Sequence, residues 1–213
     1  MKTNGATLTG KLLTAIGVVF VSTLAARGAD NPTAFQLVRE GDRYVGVQCR
    51  DKVVQIRSER SFGSLHPNIW YVLYHDPTAA LKVTQVKFGA GKMLEVRRPL
   101  RLLEPLTGGD LPLDSEKLKF DSDEAINTAL KEPLLENVKV TATQLKLERM
   151  GEEAGGVEGH GGPGDAVWKI RLWAKRVGEA SRSTDGSTDI GEIWVSATDA
   201  KVVKVDVHPG RLS

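Results

Sequence analysis

Cysteine is nearly absent. Cys49 is the single one in 213 residues. One thiol excludes an intramolecular disulfide, so packing must hold the fold by itself. Cys49 is expected to be a small buried hydrophobe rather than a reactive thiol or a link between chains. Histidine is scarce as well: His66, His75, His160 and His208 are all there are. No G-x-S-x-G elbow, no H-E-x-x-H and no Cys-centred signature occurs. No residue is therefore assigned a catalytic role, and the chain is read as not an enzyme. A hydrolase built on Cys49, His75-Asp76 or His208 is the weaker alternative. His160 with Glu152, Glu153 or Glu158 would make a poor metal site, because a glycine-rich loop does not preform one. No metal and no cofactor are expected.

No apolar run approaches the roughly 20 residues of a membrane span. The longest uncharged one, Leu12–Leu24, follows Lys2 and Lys11 and precedes the small residues Ala25, Ala26, Gly28 and Ala29. That is the pattern of a secretory signal peptide over 1–29. Cleavage between about residues 25 and 29 leaves a periplasmic or extracellular protein with no stable membrane anchor. Arg27 disfavours cleavage after Ala29. An excess of charge disappears with that segment. It holds Lys2, Lys11 and Arg27 and no acid, so 29 basic residues become 26 against 27 acidic ones, a net charge of −1. Nothing then favours nucleic acid as a partner.

What remains reads as α+β. Asn31-Pro32 suits a helix start, with Asn as N-cap and Pro at the first helical position. The spacing predicts a helix over about 32–48. A strand pair at Tyr44–Gln48 and Val53–Ile56 is its competitor, since Gly41 and Gly46 interrupt the helix. From Lys52 the apolar period is two, and Val54, Ile56 and Ser58 are expected on one face. Asn68–Asp76 has Trp70, Val72 and Tyr74 on one side and Ile69, Tyr71 and Leu73 on the other, which predicts a layer packed on each. Pro77 ends it. Leu81–Phe88 and Lys92–Arg98 form a hairpin about Gly89-Ala90-Gly91.

Pro99–Leu118 is a linker, broken by Pro99, Pro105 and Pro112, whose leucines predict that it lies against a folded body. Asp121 and Glu124 form a capping box for a short helix with Ala125, Ile126, Ala129 and Leu130 as its stripe, and Pro133 stops it. Val138–Met150 is a strand whose apolar face switches near Thr143, a predicted bulge. Gly151–Asp165 and Val177–Asp189 are loops.

Three strands close the chain. Trp168, Ile170, Leu172 and Ala174 share a side, as do Ile193, Val195 and Ala197, and then Val203, Val205 and Val207. Ala197–Lys201 is the hairpin connection, with no Asn-Gly or Asp-Gly to fix its type. Trp173 and Trp194 fall on the face opposite their strands' aliphatic residues. Either a helix or a second domain covers them, or they form a patch that grips a partner.

The two halves repeat one order: helix, strand, Trp-bearing strand, hairpin. Trp70 aligns with Trp168, and Pro99 with Pro209. The second half, 119–208, resembles a PepSY domain, a small α+β module of peptidase propeptides and exported bacterial proteins. The resemblance lies in the helix Asp123–Lys131 with its Glu-Ala-Ile start, in Val167-Trp168-Lys169-Ile170, and in Glu192-Ile193-Trp194-Val195 running into Thr198-Asp199-Ala200-Lys201-Val202-Val203. The family usually has Gly where this chain has Ala200. Residues 30–98 resemble a more divergent copy, and 209–213 are a tail. The fold expected is two tandem helix-plus-antiparallel-sheet modules. The resemblance implies an exported, non-enzymatic module that inhibits, chaperones or binds another exported protein such as a peptidase; the off-face pair Trp173 and Trp194 is the candidate for its partner-binding residues. A structural, envelope-associated protein with no discrete ligand is the alternative.

Overall fold

Eight strands lie in one antiparallel sheet. They are β1 Val53–Ser58, β2 Ile69–His75, β3 Val83–Gly89, β4 Lys92–Arg97, β5 Val138–Arg149, β6 Ala166–Arg176, β7 Thr188–Ser196 and β8 Val202–Val207. Their order across the sheet is β4-β3-β2-β1-β5-β6-β7-β8. Two short helices, α1 Ala34–Gly41 and α2 Ser122–Ala129, pack on one face. The fold class is α+β, as expected. The computed structural model describes residues 32–100, 111–151, 162, 164–176 and 186–212. Among these residues no helix is long and apolar enough to cross a membrane.

The register is symmetric about its centre. Trp70 of β2 pairs with Ser58 of β1, and Trp168 of β6 pairs with Leu147 of β5. Counted from the tryptophans, Arg57 and Lys146 hold the same place in their halves, and so do Ile56 and Leu145. The β1–β5 junction pairs Arg57 directly with Lys146 and Ile56 with Leu147. The Leu145 N–H donates to Ser58 Oγ at 2.8 Å, on the side opposite Ile56–Leu147. An approximate two-fold axis normal to the sheet therefore passes between Arg57 and Lys146. The helices obey it too. Both start with a capping box, Thr33 with Gln36 and Asp121 with Glu124. Their N-termini meet: Asp121 accepts the Phe35 N–H at 3.1 Å and Ser122 Oγ accepts the Ala34 N–H at 3.1 Å. One carboxylate thus faces the positive end of both helices.

The first helix is shorter than expected and starts later. Its N-cap is Thr33, and Asn31 lies outside the described residues. It stops at Gly41, where a Cβ would overlap the Tyr74 hydroxyl, which donates to Val38 O at 2.9 Å, so that position must be glycine. Tight bonds from Arg43 N–H to Glu40 O and from Tyr44 N–H to Gly41 O close the last turn. Tyr44–Gln48 is not a strand. The chain turns through a 3-10 segment, Val47–Cys49, and delivers Val45 and Cys49 to the core by that route.

Bulges in β1, β5 and β8 correct the strand faces. In β8 the shift opposite Trp194 and Val195 puts Val203 beside Trp194 on the other face, while Val207 stays in the core under the helices. In β1 the register shifts between Val53 and Gln55. Val53 joins the core under the helices, while Val54 joins Leu73 and Val83 on the other face, apart from Ile56. In β5 the shift falls between Val140 and Ala142. It keeps Val138 and Val140 on the same core face as Leu145 and Leu147, where an unbroken period would have put them on opposite faces.

The core tryptophans are fixed at both ends. Trp70 and Trp168 are buried, and their indole N–H groups donate to Pro67 O and Phe120 O, each at 2.9 Å. The β3–β4 hairpin turns on Ala90 and Gly91, at φ +47° and +76°. Positive φ at both central residues is the type I′ geometry that matches strand twist. Of the linker's leucines, Leu113 is buried, with its N–H on Val53 O, and Leu118 packs on the core, whereas Leu100 and Leu111 are exposed. The loops at 152–161 and 177–185, His160 among them, lie outside the described residues.

Candidate binding face

The sheet has a second face. Among the described residues neither helix packs on it, so the layer expected over Tyr71 and Leu73 is absent there. The sheet's own long side chains finish it. Period two puts Gln55, Arg57, Tyr71, Lys87, Gln144, Lys146, Glu148, Lys169, Arg171 and Glu192 on this side.

Cations lie over its aromatic rings. The Arg57 guanidinium sits 4.4 Å from the Tyr71 ring centroid and Lys87 Nζ 5.2 Å from it. Lys169 and Lys204 flank Trp194 at 4.2 and 4.7 Å. Arg60 and Arg171 flank Trp173 at 4.8 and 5.8 Å. Each contact is worth about 0.5–2 kcal/mol, more as water is excluded. Glu148 is almost fully covered. Lys169 Nζ lies 2.8 Å and Lys146 Nζ 3.3 Å from its Oε1, and Gln55 Nε2 donates to its Oε2 at 3.0 Å. A carboxylate taken out of water needs that many partners.

Trp173 and Trp194 share this face, opposite the aliphatic residues of their strands. Neither a helix nor a second domain covers them among the described residues. Trp194 is only 8% exposed, closed in by its two lysines and by Met150, Val167 and Val203. Its indole N–H donates to Glu192 Oε1 at 2.7 Å. Trp173 is half-buried beside Arg171, which is bound to Asp189. The structure separates the two rings: Trp194 neighbours Lys169, and Trp173 neighbours Asp189.

Between the tryptophans and the axis lies a shallow cavity of about 110 Å³ walled by Arg57, Lys146, Lys169 and Arg171, with Glu192 at its side. Three of these cations have carboxylate partners. Arg57 has none among the described residues; it has only the Tyr71 ring. A guanidinium without a carboxylate partner has the planar fork that a carboxylate fits, and the three cations beside it are already paired. The sequence pattern could find the face, but not this grouping, because it is made by a pairing between residues about 90 positions apart.

The histidines and the thiol fall elsewhere. His66 Nδ1 lies 3.3 Å from Asp123, and His208 Nε2 lies 2.9 Å from Asp206. His75 ends β2. Cys49 is buried beside Asp76, and its pKa is raised, first by burial and then by that carboxylate. A nucleophilic thiol needs the opposite shift. Asp76 is fully buried. Burial alone would raise its pKa, but hydrogen bonds from Thr78 and Thr84 and the Arg98 guanidinium at 3.0 Å outweigh that and hold it well below the ordinary range. Among the described residues no three His, Cys, Asp or Glu side chains gather to hold a metal ion.

Comparison of the chain with protein-family models, with curated proteins and with solved structures finds no match to any of them.

Proposed function

We propose that this chain is an exported, non-enzymatic binding module that inhibits or chaperones another exported protein, and that it grips an acidic segment of that protein on the open face of its sheet. The observation that carries the reading is Arg57, a guanidinium without a carboxylate partner among the described residues, beside a cavity walled by three further cations. Trp173 and Trp194 then hold Arg171 and Lys169 in place by ring contact.

The module is read as two tandem PepSY-like units, 30–98 and 119–208. Three features support this. The helix, 3-10 turn and four strands recur in the same order. Trp70 and Trp168 occupy equivalent places beside the β1–β5 junction. Ala200, where that family usually has Gly, takes φ +57°, a backbone conformation that glycine favours.

The test is a pull-down from the exported fraction of the native host with three proteins: the parent, Arg57→Ala/Arg171→Ala and Trp173→Ala/Trp194→Ala. One protein retained by the parent, lost by both variants and displaced by a polyglutamate peptide is the expected result. Equal retention by all three overturns the reading. The structural alternative draws on β4, an edge strand exposed along its whole length with Met93, Leu94 and Val96 uncovered. It requires co-fractionation with a large assembly that survives the Arg57 change.

A further inference from the structure

The helix-covered side carries a second, chemically different recess. A cavity of about 210 Å³ opens between α1, the start of β1 and the chain at Leu113–Leu118. Its floor is apolar: Phe35 and Val38 from the helix, Val53 and Ile56 from the strand. Leu113 and Leu118 close its far wall. An apolar cavity of about 150 Å³ holds a benzene molecule, so this one has room for a leucine or phenylalanine side chain.

Its lining also includes charges of both signs. Arg39, in the last turn of α1, makes no ion pair among the described residues. Asp42, three residues on, accepts the Asp51 N–H through Oδ1 at 3.1 Å, and its carboxyl group also meets that of Asp51. Asp51 itself lines the cavity, in a left-handed turn at φ +58°. The remaining charge near Asp42 is Arg50, which is exposed. Arg39 and Asp42 thus border one apolar recess without neutralising each other.

We propose that this recess binds a free apolar α-amino acid as its zwitterion. The side chain fills the floor, the α-ammonium meets Asp42 and Asp51, and the α-carboxylate meets Arg39. A free amino acid is favoured over a peptide terminus because the two charged groups border the same recess. Only a free amino acid carries both of its charges on one carbon. The site is independent of the open face, and each can fail without the other.

The experiment is calorimetric titration of the full chain with L-leucine, leucinamide, isocaproate and Leu-Gly. Saturable leucine binding is expected, with leucinamide and isocaproate each about 10-fold weaker or more, since each leaves one charged group unmatched. Leu-Gly, with its charges separated, should weaken likewise. Arg39→Gln, an exposed change, should bring leucine down to the affinity of leucinamide without altering the melting temperature of the free protein. Asp42→Asn, which keeps the oxygen that accepts from Asp51, should bring leucine down to that of isocaproate. No saturable binding of leucine or phenylalanine at about 10 mM overturns the proposal. So does equal binding of leucine, leucinamide and isocaproate, or an affinity unchanged by Arg39→Gln.

Discussion

The two faces of this sheet solve the same problem with different materials. Under the helices, aliphatic and aromatic side chains interlock, and the two core tryptophans are anchored by carbonyl oxygens. On the other face, Tyr71, Trp173 and Trp194 are shielded by arginine and lysine side chains that lie across them. The first arrangement excludes water by shape. The second uses long amphipathic stems that can close over a gap or lift away from it. A face of the second kind can exchange its own covering for a partner's, and a face of the first kind cannot.

The comparison breaks most easily at the tryptophans. Trp168→Ala should cost about 3–5 kcal/mol in urea unfolding, because the rigid core cannot collapse into the space. Trp194→Ala should cost about half as much or less, since Lys169 and Lys204 can settle into its place. Equal losses would mean that the open face is packed as rigidly as the covered one.

Next in size is the buried charge on the covered side. Asp76→Asn should cost about 2–3 kcal/mol near neutral pH by weakening the ties to Thr78, Thr84 and Arg98. Because the folded carboxyl is held below its ordinary value, its contribution is complete above about pH 4. It is lost as pH falls below that toward the depressed folded value. The parent should therefore lose stability on acidification faster than Asp76→Asn. Parallel curves in acid would remove Asp76 from the account.

Gly191 belongs to neither face. It sits in β7 at φ +112°, where a Cβ would collide with the Asp206 carbonyl of β8. Gly191→Ala should destabilise by about 2 kcal/mol and loosen the β7–β8 pairing, measured as faster amide exchange there. The smallest change expected is a gain. Ala200→Gly relieves a left-handed alanine in the β7–β8 turn and should stabilise by about 0.5–1 kcal/mol in the same unfolding assay. A loss would mean that the Ala200 methyl packs better than its backbone strain costs.

The elements that local chemistry decides were legible in the sequence. Asp121 and Glu124 announced α2, Pro77 the end of β2, and Gly89-Ala90-Gly91 a hairpin. The placing of Trp173 and Trp194 opposite the aliphatic residues followed from period two alone. The need for glycine at position 41 did not, because the Tyr74 hydroxyl that forbids a side chain there comes from a strand 33 residues away. The bulges of β1 and β5 were hard to place because each answers to its neighbour's register. The open face was legible in outline, but its centre was not. Arg57 and Lys146 are ordinary surface residues until the junction sets them side by side.

That junction also bears on the order of assembly. Within each half the strands follow one another as meanders, whose contacts are local and close fast. Pairing of β1 with β5 must instead enclose a loop of about 90 residues, at a larger cost in chain entropy. The seam between the halves is thus the slow contact of the fold. Until it closes, β1 and β5 each present a bare edge, and another molecule of the same protein can supply the missing neighbour.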